Sequence, residues 1–162
     1  MTKIAFYKGT SKSLWNAFQQ WAIRAWTLGK YSHVEIINDY GSRDTKTWMW
    51  FAATSYHPGT TIARSIKFNE ENWDIFELPT DVNYDEAYAY MYSKMGVKYD
   101  WLGIVLSQTI PLNIHDKKRL FCSEYVAKAL KKTALFRGDT ATPQSYSPNG
   151  LYRKLKKMDA LK

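Results

Sequence analysis

The sequence lacks the features that define several protein classes. Cys122 is the single cysteine in 162 residues, which excludes a disulfide scaffold, because such scaffolds need an even and dense set. No apolar run approaches the ~20 residues of a membrane-spanning helix; the longest lies at about Trp48 to Ala53. Only eight glycines are present, and none forms a phosphate-cradling loop. The histidines, at positions 33, 57 and 115, make no metal-ligand spacing with Cys122. A zinc enzyme is therefore not expected, nor is any other metal or cofactor. The stretch Met1 to Phe6 turns polar again at Lys8 without a secretory apolar region. The expected location is cytoplasmic, with a phage particle as the alternative.

What is present points to a folded globular protein. The 26 aromatic residues (7 Trp, 12 Tyr and 7 Phe) exclude intrinsic disorder, and the length suits one domain spanning 1–162. Charge is uneven. Residues 1–116 carry 11 basic and 12 acidic side chains, whereas residues 117–162 carry 12 basic and 3 acidic. A cationic end of this kind meets nucleic acid, anionic lipid or an acidic wall polymer, or it is a solvated helix face. No zinc-ligand spacing or basic region running into heptads accompanies it, which argues against nucleic acid.

Neither a repeat nor a linker divides the chain. Ile4 to Tyr7 reads as a strand. Ser11 or Ser13 caps a helix running to about Thr27, with Leu14, Phe18, Trp21, Ala22, Ala25 and Trp26 as its apolar stripe and Gly29 as its stop. Strands are expected at Ser32–Ile37, Thr47–Ser55, Ile62–Phe68 and Trp73–Leu78, with turns at Asp39–Ser42 and His57-Pro58-Gly59. A Tyr-rich helix follows at about Tyr84–Met95 and is ended by Gly96. An apolar segment then runs from Tyr99 to Ile110, and a loop from Pro111 to Arg119. Leu120 to Leu130 reads as a helix with Val126, Ala129 and Leu130 buried, and Ser147–Leu151 turns into a basic last helix. The class is α+β: an antiparallel sheet packed against helices.

Cys122 is the most informative position. It lies where a loop enters a helix, so unpaired backbone N–H groups and the positive end of the helix dipole flank the sulfur. That setting favours the nucleophilic thiolate, and the same N–H groups suit the oxyanion of a tetrahedral intermediate. The ordinary reading of a lone cysteine is a small buried hydrophobe. A nucleophile also needs a base and an orienting group. His33 and Glu35 share one strand face at a backbone spacing of about 6.6 Å, close enough for the carboxylate to hold one imidazole nitrogen and leave the other for a thiol. His57 and His115 have no acid at such spacing. The pairs Glu70-Glu71 and Asp85-Glu86 read as solvated or helix-dipole charges.

Ser32-His33-Val34-Glu35-Ile36, then Gly96-Val97-Lys98-Tyr99-Asp100-Trp101, then Phe121-Cys122-Ser123-Glu124-Tyr125-Val126 resembles the circularly permuted branch of the NlpC-type papain-like cysteine hydrolases. Within that branch it resembles the YiiX-like group, relatives of lecithin:retinol acyltransferase. The resemblance runs from the strand at Ile4 to the turn at Leu151, and the Cys-Ser-Glu helix start is its most specific part. It implies a permuted papain-like fold with the cysteine at a helix N-terminus and a triad of Cys122 as nucleophile, His33 as base and Glu35 as orienter. The implied activity is hydrolysis of an amide or ester through an acyl-enzyme. Peptides of the bacterial wall (peptidoglycan) or acylated lipids are the implied substrates. The strand after His33 has no His or acid, which favours Glu35 as the third member, with Thr54 and Ser55 the alternatives. The glycine-aspartate opening usual in the first strand is missing. A different class of function stays open: a non-catalytic binding or structural module, phage- or wall-associated, whose basic last helix meets an anionic surface.

Overall fold

Alternation of apolar residues along short β-branched and aromatic runs builds the sheet. In the computed structural model, residues 1–10, 14–38, 47–53, 61–67, 71–99, 119–120 and 122–162 are described. The five-stranded antiparallel sheet consists of β1 (Thr2–Tyr7), β2 (His33–Asn38), β3 (Thr47–Ala53), β4 (Thr61–Lys67) and β5 (Trp73–Glu77), in the order β4-β3-β2-β1-β5. Register across the centre places Ile4 opposite Ile36 and Phe76, and Tyr7 opposite His33 and Trp73.

One face of this sheet meets the helices. Ile4, Phe6, Val34, Ile36 and Phe51 join a core with α2 (Asp85–Ser93), α3 (Cys122–Leu130) and α4 (Pro148–Lys157) through Ala87, Met91, Val126, Leu130, Leu151 and Leu155. The other face carries a smaller cluster of Ala5 and Ile37, backed by Trp73 and Ile75. With both faces enclosed, residues 34–38 are all buried. Only His33, at the start of this central strand, keeps partial exposure. Two-residue strands β6 (Lys98–Tyr99) and β7 (Arg119–Leu120) pair in parallel beside the start of α3.

The helices show why each begins and ends. Ser147 caps α4 by accepting the Gly150 N–H, and Pro148 opens it with a ring that needs no donor. Asp85 and Glu86 lie exposed in the first turn of α2, where they meet the positive end of its dipole; Glu70 lies outside the described residues. α3 is enclosed nearly all round, its buried side extending well beyond Val126, Ala129 and Leu130, because β2, β3, α2 and α4 all pack against it.

α1 (Leu14–Thr27) turns part of its apolar stripe outward, and it stops through a different residue than expected. Of its apolar stripe Leu14, Phe18, Trp21 and Ala25 are exposed and Ala22 is half-buried, while Thr27 is buried. Helical spacing marks a stripe but not the phase it meets, and α1 is held from its C-terminal end instead. The helix stop also works differently. Leu28 adopts the left-handed conformation (φ 48°), and the Gly29 N–H bonds the Arg24 carbonyl. Gly29 is required for space: a Cβ there would lie 2.3 Å from Cγ of Asn149. Ser11, Ser13, the Asp39–Ser42 and His57–Gly59 turns and the apolar segment beyond Tyr99 lie outside the described residues.

Candidate active site

The site forms where two element starts meet. His33 is the first residue of β2, and Cys122 the first of α3. β2 supplies His33 and Glu35 from one side of its pleat, and Nε2 of His33 lies 2.9 Å from Oε1 of Glu35. The ring's remaining nitrogen, Nδ1, is left for the thiol, and Cys122 lies near enough to act on the imidazole electrostatically. The order is thus thiol, imidazole, carboxylate.

Burial sets the electrostatics. Glu35 is fully buried (0% exposed), Cys122 is 4% exposed, and the His33 side chain keeps 21%. Burial alone would lower the imidazole pKa, but the negative charge and hydrogen bond of Cys122, then those of Glu35, outweigh it. His33 is pushed up from 6.5 to about 10. A proton is therefore held on the ring between the two acidic groups. This is the arrangement required of a base that must be charged beside its nucleophile.

The helix start completes the surroundings. The first N–H groups of α3 have no intrahelical acceptor, so those at and beyond Cys122 stand beside the sulfur. Ser123 and Glu124 are fully buried. Glu124 Oε1 lies 2.7 Å from Lys128 Nζ one turn on. No group of three or more His, Cys, Asp or Glu among the described residues could hold a metal ion.

The structure brings together Cys122, His33 and Glu35; His57, His115, Thr54 and Ser55 lie outside the described residues. Three neighbours were not anticipated. Trp73 packs its ring edge-on 6.1 Å from His33 and 5.0 Å from Tyr7, and both follow from the strand register, which the sequence alone does not supply. Asn149 is the third. Its amide donates to Thr27 Oγ1 (2.6 Å) and the Tyr31 carbonyl (2.7 Å) and accepts from the Tyr31 N–H (2.9 Å). These bonds pin the turn that leads into His33. The Ser147–Leu151 motif signalled a helix start and gave no sign of this second task.

A separate ion cluster braces the same end of the sheet. Asp74 lies 2.6 Å from Lys8 and 2.7 Å from Lys30 and accepts from the buried Tyr31 hydroxyl at 2.7 Å. Burial would raise its pKa, but these partners hold it down at about 2. Among the described residues no helix is long and apolar enough to cross a membrane. In comparisons with known proteins, the sequence matches no family model and no curated protein.

Proposed function

We propose that the protein is a thiol hydrolase of the permuted papain-like kind, cleaving an amide or ester bond through a Cys122 acyl-enzyme. The observation that carries this reading is the enclosed set Cys122, His33 and Glu35, with the imidazole bonded to the buried carboxylate and acted on by the thiol. A cysteine serving only as a core hydrophobe has no use for a charged imidazole backed by a buried carboxylate, since burying such groups is costly without a function.

Each step balances. The Cys122 sulfur attacks the substrate carbonyl carbon, and its proton resides on His33. The resulting oxyanion is met by backbone N–H groups at the start of α3. Collapse breaks the bond to the leaving amine or alcohol, which takes the proton from His33. Water then attacks the thioester, His33 accepts its proton, and the acid departs as the sulfur is restored. Glu35 holds the ring in place and stabilises its positive charge throughout. Wall peptides and acylated lipids are the substrate classes that this chemistry and the family resemblance favour.

Intact-mass spectrometry after incubation with muropeptides and, separately, acylated lipids tests the proposal. An acyl adduct on Cys122 is expected from one of them. Iodoacetamide labelling at pH 6 adds a substrate-free readout, with Cys122 expected to react far faster than a free thiol of pKa ~8.5. No adduct together with labelling at the model-peptide rate would mean a binding or structural module instead.

A further inference from the structure

The chemistry of the site leaves the outer face of α1 unused. Leu14 (90% exposed), Phe18 (57%), Trp21 (63%) and Leu28 (86%) present their side chains to solvent, and Ala25 is exposed between the last two. From Leu14 to Ala25 the spacing of 4, 3 and 4 residues draws one line along the helix, and Leu28 follows just past its end. α1 contains no acidic residue, and its one charged side chain, Arg24, is turned inward to the Gly9 carbonyl and Ser32 Oγ.

Cationic groups border the end of that line. Arg153 of α4 reaches the Thr27 carbonyl at 3.3 Å, next to Leu28. Lys156 and Lys157, three and four residues on, share its helix face and are exposed. Lys154 is not part of this face; it lies 3.0 Å from Asp139. The one acid following α4 is Asp159. An aromatic and aliphatic line with a cationic border is the chemistry of a helix lying in a lipid interface, where rings enter the headgroup boundary and lysines meet phosphates. A second copy of the chain fits worse. A two-fold contact through this face would oppose two cationic patches on molecules of net charge +8.

We propose that the exposed face of α1, with the Arg153–Lys156–Lys157 face of α4 beside it, docks on an anionic lipid bilayer. This reading does not depend on the thiol chemistry. The test is co-sedimentation of the full chain with phosphatidylcholine vesicles with and without phosphatidylglycerol, at low and high salt. Binding should require phosphatidylglycerol and fall as salt rises. Leu14→Gln/Trp21→Gln and, separately, Lys156→Gln/Lys157→Gln should each weaken it on the order of tenfold. Ala25→Glu, which changes only an exposed position, should do the same by repulsion. Cys122→Ala should bind like the parent, so failure here is distinguishable from failure of the hydrolase reading. Three outcomes would overturn the proposal: no binding to phosphatidylglycerol vesicles, binding undiminished by the α1 substitutions, or a dimer in sedimentation velocity that Leu14→Gln/Trp21→Gln abolishes.

Discussion

α1 and α3 invert one another. α3 hides a thiol, a hydroxyl and a carboxylate at Cys122, Ser123 and Glu124, while α1 turns Leu14, Phe18 and Trp21 to solvent. Both have apolar residues at helical spacing, so periodicity does not separate them. What separates them is the company each keeps. Elements on several sides enclose α3, polar flank included, whereas α1 is gripped through Arg24, Thr27 and Gly29 at one end. Burial is thus a property of the surroundings, and a polar residue forced inside by them is a better guide to function than an apolar one left outside.

The sharpest way to break the comparison is at Cys122. Cys122→Ser should lower turnover by ~10³-fold or more, about 4 kcal/mol of transition-state stabilisation, because His33 activates a hydroxyl poorly. Melting temperature, measured on the same preparation, should hardly move. Turnover equal to the parent would remove Cys122 from the mechanism.

Leu130→Ala, at the enclosed end of α3, should destabilise by about 2–5 kcal/mol in urea titration. A change well under 1 kcal/mol would show that α3 is not the packed helix described.

Glu35→Gln probes the polar side of the same enclosure. We expect kcat to fall ~10–10³-fold, less than for a serine-protease triad carboxylate. His33 is held near 10 by Cys122 first and Glu35 second, so a neutral side chain at 35 lowers that value and moves the alkaline limb of the pH–rate profile to lower pH. Stability should drop too, by about 1–3 kcal/mol, since Glu35 is wholly buried. With a folded-state value raised above 6.5, His33 contributes stability in full below pH 6.5 and loses it as pH rises through about 10. The gap between parent and variant should therefore narrow in alkali. An unchanged pH profile with full activity would give the orienting role to another group.

The smallest effect belongs to α1. Trp21→Gln should leave folding stability within ~0.5 kcal/mol of the parent, although it removes a large aromatic side chain. A loss of several kcal/mol in a vesicle-free buffer would mean that this face is covered by protein after all.

Much of the fold was legible because local rules suffice for it. All five sheet strands fall within a few residues of the apolar runs, and the Ser147-Pro148 start of α4 follows from capping chemistry. His33 and Glu35 were readable as a pair because a strand repeats every two residues, and Cys122 because it stands at a loop-to-helix junction. Three facts were not local. The burial of Glu35 depends on the cluster behind Ile37, Trp73's approach to His33 depends on register, and Asn149's grip on Tyr31 depends on packing between distant segments. The outward turn of the α1 stripe is not local either: the sequence marks the line but not what lies across from it.

The Asn149 clamp also has a consequence for the order in which the molecule takes shape. Its hydrogen bonds join positions 118 and 122 residues apart, a closure whose entropy grows only slowly with loop length but must be met before the contact contributes anything. During synthesis His33 and Glu35 emerge long before Cys122, and the turn ahead of His33, tied earlier to Asp74 through Lys30 and Tyr31, gains its last anchor only with Asn149. The His33 imidazole and the Cys122 thiol are therefore matched only near the end of folding. A growing chain carries the parts of the site well before it carries the site.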